Sequence, residues 1–280
     1  MYFTTPLYRS AFTLLLTVVL MHSAAAENNR QTGGEPNDAA AGEEFSAADL
    51  PPEQFLAAVR HSFEQNVWGR FSGRVQHRSP RARISTDISL ALRSEAPRFM
   101  RARITLHRNS IYDAVHLLEN RTPEIHIQEP EDETEISLRE LGLETEDLMF
   151  VFLYWRPIEE KPVESVRGRP CRVLLLQHPE EPEHRLQVWF SKEHLAPLRI
   201  MWLRQDGRTP ERILEMTDFE SRRGVWYVKS FRLAGEDWQT RVRFTDGALH
   251  KHENRSPPED LFPAPHYEVH DTSRKDSCTE

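Results

Sequence analysis

Histidine pairs are the first residues in this sequence whose spacing could serve a metal ion. The chain contains 13 histidines. His250 and His252 alternate, as two side chains on one face of a strand do, whereas His266 and His270 have the spacing of one helical turn. Nearby prolines oppose a helix at the second pair. No cysteine or carboxylate pattern completes either pair, so we expect no metal site and no cofactor.

Residues for nucleophilic or acid–base catalysis are not grouped in a recognisable motif. The sequence has no G-x-S-x-G nucleophile elbow, no phosphate-binding loop and no dinucleotide fingerprint. The adjacent carboxylates Asp132 and Glu133 belong to an acidic stretch, Glu129 to Glu135, and not to an apolar pocket that would separate their pKa values. We interpret this stretch as a solvated loop, with a cation site as the alternative, and we expect no enzymatic activity.

The charge balance opposes one class of partner, and the first residues indicate an exported chain. A net charge of −8 opposes general binding to nucleic acid. Residues 1–26 have the pattern of a signal peptide, with Arg9 before the apolar run from Ala11 to Met21 and small residues up to Ala26. The apolar run is short for a membrane span, although an uncleaved anchor is the alternative. We therefore expect export and cleavage before Glu27.

The rest of the chain divides into a leader, one domain and a tail. Residues 27–50 are polar and aperiodic and predict a disordered leader, residues 51–264 predict one domain, and residues 265–280 predict a flexible polar tail. Cys171 and Cys278 are too few for a disulfide framework. We expect two unpaired thiols, with a disulfide that ties down the tail as the alternative.

Short apolar segments separated by turn signals dominate the domain and predict an antiparallel meander. Asp206-Gly207 predicts a two-residue hairpin, since this pair tolerates positive φ angles. Eleven strands are predicted, and the sequence signals of the fourth and fifth are the weakest. The strands lie within residues 68–76, 82–92, 100–106, 111–118, 124–128, 171–176, 186–190, 198–203, 212–219, 225–233 and 238–244.

Strict alternation in the first half predicts which side chains line the inner face of the sheet. The longest alternating run continues from the second predicted strand into the third. We expect an apolar inner wall made of Ile84, Ile88, Leu90, Leu92, Met100 and Ile104. A helix that begins at Pro51-Pro52 carries Phe55, Leu56 and Val59 on one face, which we expect to pack on the sheet.

One segment is apolar on every side. Thr145 can cap a helix that continues through Leu148, Phe150, Phe152 and Trp155 and ends before the proline at position 157. Such a helix must be covered all round or must face an apolar cavity. It is therefore either a central core helix or a lid over a cavity of lipid size.

The strand and turn patterns of the second half carry a family resemblance. They are Gly168 to Leu176, Val188 to Phe190 with Leu198 to Ile200, Asp206 to Arg208, Met216 to Phe219 and Gly224 to Val228. In these segments the sequence resembles the outer-membrane lipoprotein-sorting proteins, the LolA-like family. The resemblance implies a mainly β (α+β) fold, a half-open antiparallel β-barrel of about ten to eleven strands with helices covering its concave face.

The same resemblance implies a function. LolA-like proteins are periplasmic carriers that bind the acyl chains of lipoproteins, receive them from an inner-membrane lipoprotein transporter and deliver them toward the outer membrane. By this resemblance the six wall residues, together with Leu148, Phe150, Phe152 and Trp155, would bind lipid in a monomer. Arg93 and Arg98 are the candidates for the family's gating arginine. The alternatives are a binder of free lipids and a non-catalytic structural or interaction module with a packed interior.

The signal peptide generates a direct prediction. We expect the exported protein to begin at Glu27, because the small-residue cleavage site ends at Ala26. N-terminal sequencing of exported material checks this, and material that still begins at Met1 would contradict it.

Overall fold

The computed structural model describes residues 47–107, 110–118, 124–130, 136–222, 225–253 and 255–262. The signal peptide, most of the predicted leader, the tail with Cys278, and His266 and His270 lie outside these residues, as do Asp132 and Glu133. The helices and strands are α1 (Pro52–Phe63), β1 (Val67–Arg78), β2 (Arg83–Glu95), β3 (Phe99–Leu106), β4 (Ser110–Leu117), β5 (Glu124–Gln128), α2 (Thr145–Met149), β6 (Arg156–Val166), β7 (Arg169–Gln177), β8 (Arg185–Ser191), β9 (Pro197–Leu203), β10 (Pro210–Arg222), β11 (Val225–Ala234) and β12 (Gln239–Lys251).

All the described strands belong to one antiparallel sheet in the order β5-β4-β3-β2-β1-β12-β11-β10-β9-β8-β7-β6. Strands β1–β5 and β6–β12 are two meanders, and they join where β1 pairs with β12. Because β5 and β6 lie at opposite ends of the order, the sheet is open and does not close into a barrel. The predicted mainly β, half-open architecture is confirmed, with one strand more than expected.

The additional strand is β6, a stretch for which the sequence predicted neither helix nor strand. Its prolines at positions 157 and 162 disfavour a central strand, because proline cannot donate to the hydrogen-bond ladder. They are compatible with an edge strand, and the pairing of β6 with β7 shifts register beside each of them. The strand is therefore irregular where the prolines lie.

The two faces of the sheet differ clearly along β1, as the alternation predicts. The inner face, defined as the face that packs against α1, carries a large apolar core that includes Phe55, Leu56 and Val59 of the helix. Phe71 and Val75 of β1 join the same core, while the residues between them are exposed or half-buried. The amphipathic first helix is thus confirmed in type and in packing.

The chain between β5 and β6 crosses the inner face. Its residues 136–155, here called the crossing segment, bond to several strands. Ser110 Oγ donates to the Ile136 carbonyl over 3.1 Å, and the Leu138 amide donates to Tyr112 Oη over 3.1 Å. Farther along, Thr240 Oγ1 donates to the Leu141 carbonyl. The crossing segment therefore covers the inner face at β4 and at β12.

The predicted continuous apolar helix is wrong. Helix α2 ends at Met149, Phe150 adopts a left-handed conformation with φ of 52°, and residues 151–154 form a 3-10 turn. The next residue, Trp155, is extended. A left-handed residue breaks the helical hydrogen-bond ladder, so the apolar side chains leave the segment in several directions instead of surrounding one axis.

Two smaller predictions also need correction. Strands β9 and β10 are joined by residues 204–209, and the Gly207 amide donates to the Arg204 carbonyl over 2.8 Å, so Asp206-Gly207 is part of a longer loop and not a two-residue hairpin. Folded structure also begins before Pro51, since residues 47–49 form a 3-10 turn in which Ala48 is buried. The Arg172 guanidinium donates to the carbonyls of Ala48 and Leu50 and holds this segment.

A close approach of β1 and β12 depends on glycine. A Cβ atom on Gly73 would lie 2.1 Å from the Arg243 carbonyl oxygen, at the register shift of the two strands. We expect Gly73→Ala to lower the free energy of unfolding by about 1–3 kcal/mol, because backbone atoms cannot move aside freely. Urea unfolding measures the loss.

The neighbouring exposed residue offers a control. Ser72→Ala should stay within about 0.5 kcal/mol of the natural protein, since surface substitutions rarely do more. Equal stability of both variants would contradict the close approach.

Candidate functional site

A small apolar cluster lies between the crossing segment and strands β2–β5. Two alanines at its centre, Ala102 on β3 and Ala114 on β4, are directly opposite each other and almost fully buried. Met149 and Val151 from the crossing segment pack on these two residues. The partly buried residues around them are Leu90, Leu92, Met100, Ile125 and Ile127. Small floor residues leave a depression that the two larger side chains occupy.

The residues predicted for the inner wall all share the inner face. Register places Leu90 opposite Ile104 and Leu92 opposite Ala102, and directly opposite residues of antiparallel strands project to the same side. Leu90, Leu92 and Met100 border the alanine floor. The other three, Ile84, Ile88 and Ile104, contact the main core. Leu90 and Leu92 also pack against the main core, so the predicted wall connects the cluster to the core.

The apolar residues of the crossing segment have different surroundings. Phe152 is buried in the main core, and Leu148 packs on that core from a half-buried position. Phe150 makes edge-to-face contacts with Phe63 and Phe152, with ring centroids 5.6 Å and 5.8 Å apart. Trp155 packs edge-on against His178 at 4.8 Å. Of the segment, Met149 and Val151 are the residues that reach the alanine floor.

A charged clamp attaches α2 to strand β10. The Arg212 guanidinium donates to Asp147 over 2.7 Å and to Glu144 over 2.6 Å, and it lies 4.0 Å from the centre of the Trp202 ring. Asp147 is 2% exposed, and burial raises the pKa of its carboxyl to about 6 even though Arg212 opposes the rise. Burial likewise raises the pKa of Glu146. The clamp therefore contains a carboxyl group that titrates near neutral pH.

One of the two candidate gating arginines, Arg93, does not face the cluster. Arg93 alternates with Leu92 on β2 and is paired opposite Trp68 and Arg101, so it projects to the outer face, where it binds Glu95. Arg98 lies in the turn between β2 and β3, and its carbonyl accepts from the Leu118 amide over 3.0 Å. A side chain on the outer face cannot close an opening on the inner one, so the gating role of Arg93 is not supported.

Sequence reasoning missed several residues of the cluster. Ile125 and Ile127 lie on β5, and Ala114 lies on β4, the two strands with the weakest sequence signals. The alternation of Tyr112, Ala114 and His116 along β4 was the signal that could have placed them on the inner face. Met149 and Val151 were hidden in a run that was taken for one helix.

Two features are absent from the described part of the chain. No helix there is long and apolar enough to cross a membrane. No three or more His, Cys, Asp or Glu side chains there are grouped to hold a metal ion. His250 stacks on Trp68 with ring centroids 4.4 Å apart, and His252 follows the end of β12.

The fold is similar to three solved structures, each 12% identical in sequence. A DUF1329 family protein from Desulfovibrio piger matches with a TM-score of 0.56 over 75% of this chain and 94% of that one. A domain from Vibrio parahaemolyticus, named for outer membrane lipoprotein sorting, matches with a TM-score of 0.52 over 74% and 96%. A LolA superfamily protein from Nitrosomonas europaea matches with a TM-score of 0.44 over 71% and 90%.

The sequence itself matches no model of a known protein family and no curated protein. The structural matches nevertheless confirm, at the level of the fold, the resemblance to lipoprotein-sorting proteins.

The clamp makes stability depend on pH. The unfolded chain loses the Asp147 proton near pH 3.8, whereas the folded protein keeps it until about pH 6. The contribution of this carboxyl to the free energy of unfolding is therefore full below pH 3.8 and falls as pH rises through 6, by about 3 kcal/mol. We expect Asp147→Asn to remove this fall, as measured by urea unfolding between pH 4 and pH 7.

Glu144→Gln is the matched control, because Glu144 binds the same arginine from an exposed position. It should keep most of the pH dependence of the natural protein, because burial is the largest cause of the raised pKa of Asp147 and the charge of Glu144 is a lesser one. The same pH dependence in Asp147→Asn as in the natural protein would show that Asp147 is not the titrating group.

Proposed function

We propose that this protein is a periplasmic carrier that binds acyl chains of lipoproteins or related lipids under the crossing segment, and that it performs no catalytic step. The observation that carries the proposal is the alanine floor on β3 and β4, occupied by Met149 and Val151 of a segment that is not a regular helix. An acyl chain would take the place of these two side chains on the same apolar wall.

The way the crossing segment is attached supports this proposal. From Thr145 onward it contacts the cluster through apolar side chains, and its ionic clamp at Arg212 lies on the far meander. Apolar contacts are non-directional, so one apolar group can replace another without leaving hydrogen bonds unmade. Each CH₂ group that leaves water for such a wall contributes about 0.8 kcal/mol.

The similar structures support the class of cargo. The domain from Vibrio parahaemolyticus is named for outer membrane lipoprotein sorting, and it covers most of the described domain. By this likeness we propose lipoprotein acyl chains as cargo, an inner-membrane lipoprotein transporter as the donor partner, and the periplasm as the location. A packed interaction module is the competing function, because the depression is filled in this structure.

Filling the depression separates the two functions. We expect the natural protein to bind the apolar dye N-phenylnaphthylamine and to release it when methyl dodecanoate is added. Ala102→Leu should weaken binding of methyl dodecanoate about tenfold or more, because the larger side chain occupies the floor. Fluorescence titration measures the affinity, and urea unfolding measures a loss of stability of up to about 1–3 kcal/mol.

Ala91→Leu makes the same chemical change on the other face. Ala91 lies on β2 opposite Arg70 and Arg103, on the outer side of the sheet, so this variant should bind like the natural protein. A natural protein that binds neither dye nor ester, and whose extract from its host contains no acyl species, would favour the packed module.

A further inference from the structure

Two buried polar side chains lie in one row of the inner face, beside the apolar wall. In the register of the sheet, Ser94 is opposite Met100, Met100 is opposite His116, and His116 is opposite Ile125. Ser94 is 1% exposed and His116 is 0% exposed. Because directly opposite residues share a face, a hydroxyl and an imidazole project beside the alanine cluster, with one methionine between them.

Neither polar group is satisfied by the part of the protein that the structure describes. Ser94 Oγ and both ring nitrogens of His116 make no hydrogen bond to any described residue. Buried polar groups are nearly always hydrogen-bonded, and leaving one unpaired is destabilising. Burial lowers the pKa of His116 to about 4, so its ring is neutral at pH 7 and presents one donor and one acceptor.

The crossing segment covers this histidine with an aromatic ring. The Tyr154 ring meets the His116 ring edge-on, with centroids 4.7 Å apart and planes at 88°. The Tyr154 hydroxyl donates to Glu64 Oε1 over 2.8 Å, and Arg60 donates to the Leu153 carbonyl over 3.3 Å. Both hydrogen bonds therefore involve helix α1 or Glu64, the residue that directly follows it. The cover can therefore leave His116 without breaking a hydrogen bond to it, whereas an occupant with a polar atom would gain one.

We propose that His116 and Ser94 bind the carbonyl group through which an acyl chain is esterified or amidated, while the chain itself lies along Leu92, Met100 and Ile125. This inference rests on the proposed acyl-binding function and specifies the polar end of the cargo. The imidazole N–H donates to the carbonyl oxygen, which is an uncharged acceptor that an apolar wall tolerates, and the serine hydroxyl pairs with the neighbouring ester oxygen or amide N–H of the same group.

The same chemistry discriminates against ionised ligands. A carboxylate or phosphate at this place would be a buried charge with only neutral donors beside it in the row, which is strongly unfavourable. The site therefore fits an acyl ester or amide and not a free fatty acid in its ionised form. A bare alkane would fill the apolar wall but would leave both polar groups unpaired.

Three ligands of equal chain length test the proposal by displacement of N-phenylnaphthylamine at pH 7. They are dodecane, methyl dodecanoate and dodecanoate. We expect the natural protein to bind methyl dodecanoate at least about tenfold more tightly than either of the others, because one hydrogen bond already provides about that factor and two polar groups are available. His116→Phe should abolish this preference and leave the affinity for dodecane unchanged, since phenylalanine keeps the ring contact with Tyr154.

Stability should move in the opposite direction from binding. His116→Phe removes an unpaired buried polar group, so we expect a higher melting temperature together with weaker ester binding. Ser94→Ala is a smaller change that guards against misfolding of the first variant, and it should also reduce the preference for the ester over dodecane.

The outcomes separate this inference from the function on which it rests. Binding of dodecane and methyl dodecanoate with equal affinity by the natural protein, unchanged in both variants, would overturn the roles of His116 and Ser94 and leave acyl binding intact. Binding of neither ligand would overturn both proposals.

Discussion

The positions of β5 and β6 at opposite edges of one open sheet are the constraint on which the rest of the structure depends. Strands that are consecutive in the chain usually pair, and here all other consecutive strands do. The connection from β5 to β6 must instead travel from one edge of the sheet to the other. It does so across the inner face, and its side chains supply the cover that an open apolar face needs in water.

The cover is attached to the sheet in two physically different ways. Over the far meander it is held by charged and polar groups, chiefly the clamp of Arg212 with Asp147 and Glu144. Arg172 similarly holds residues 47–50. Its guanidinium donates to both carboxylate oxygens of Glu160 on β6 and lies 4.7 Å from the centre of the Phe55 ring. Over β4 two hydrogen bonds, from Ser110 and to Tyr112, hold the start of the segment, and from Thr145 onward the contacts over β2–β5 are apolar side chains and one aromatic edge. Charge-assisted bonds fix geometry, whereas apolar contacts can be exchanged, so displacement is easiest over β2–β5.

The outer face at β7–β11 and the edge strand β6 are protected by their own side chains. On the outer face of β8–β11, the Arg199 guanidinium stacks on the Trp189 ring, and Arg199 and Arg232 both bind Glu215. These side chains cover the small outer cluster that contains Cys171 and Val173. Edge strand β6 carries two prolines and several charged residues, which discourage pairing with another sheet. The inner face is therefore the one that depends on the crossing segment.

The sequence by itself determined the strands that alternate strongly, the first helix and the inner orientation of Leu90, Leu92 and Met100, because each of these depends on local periodicity and side-chain type. It could not determine that β6 is a strand, because its prolines are acceptable only at an edge, and edges are defined by pairing. Nor could it show the break at Phe150, since a run apolar on every side has no preferred face from which local signals could place a turn. The pairing of β1 with β12, the clamp on Arg212 and the row of Ser94 and His116 were decided by tertiary structure alone. Each of these contacts joins residues that are distant in the chain. They depend on how the strands pair, which local sequence patterns do not specify.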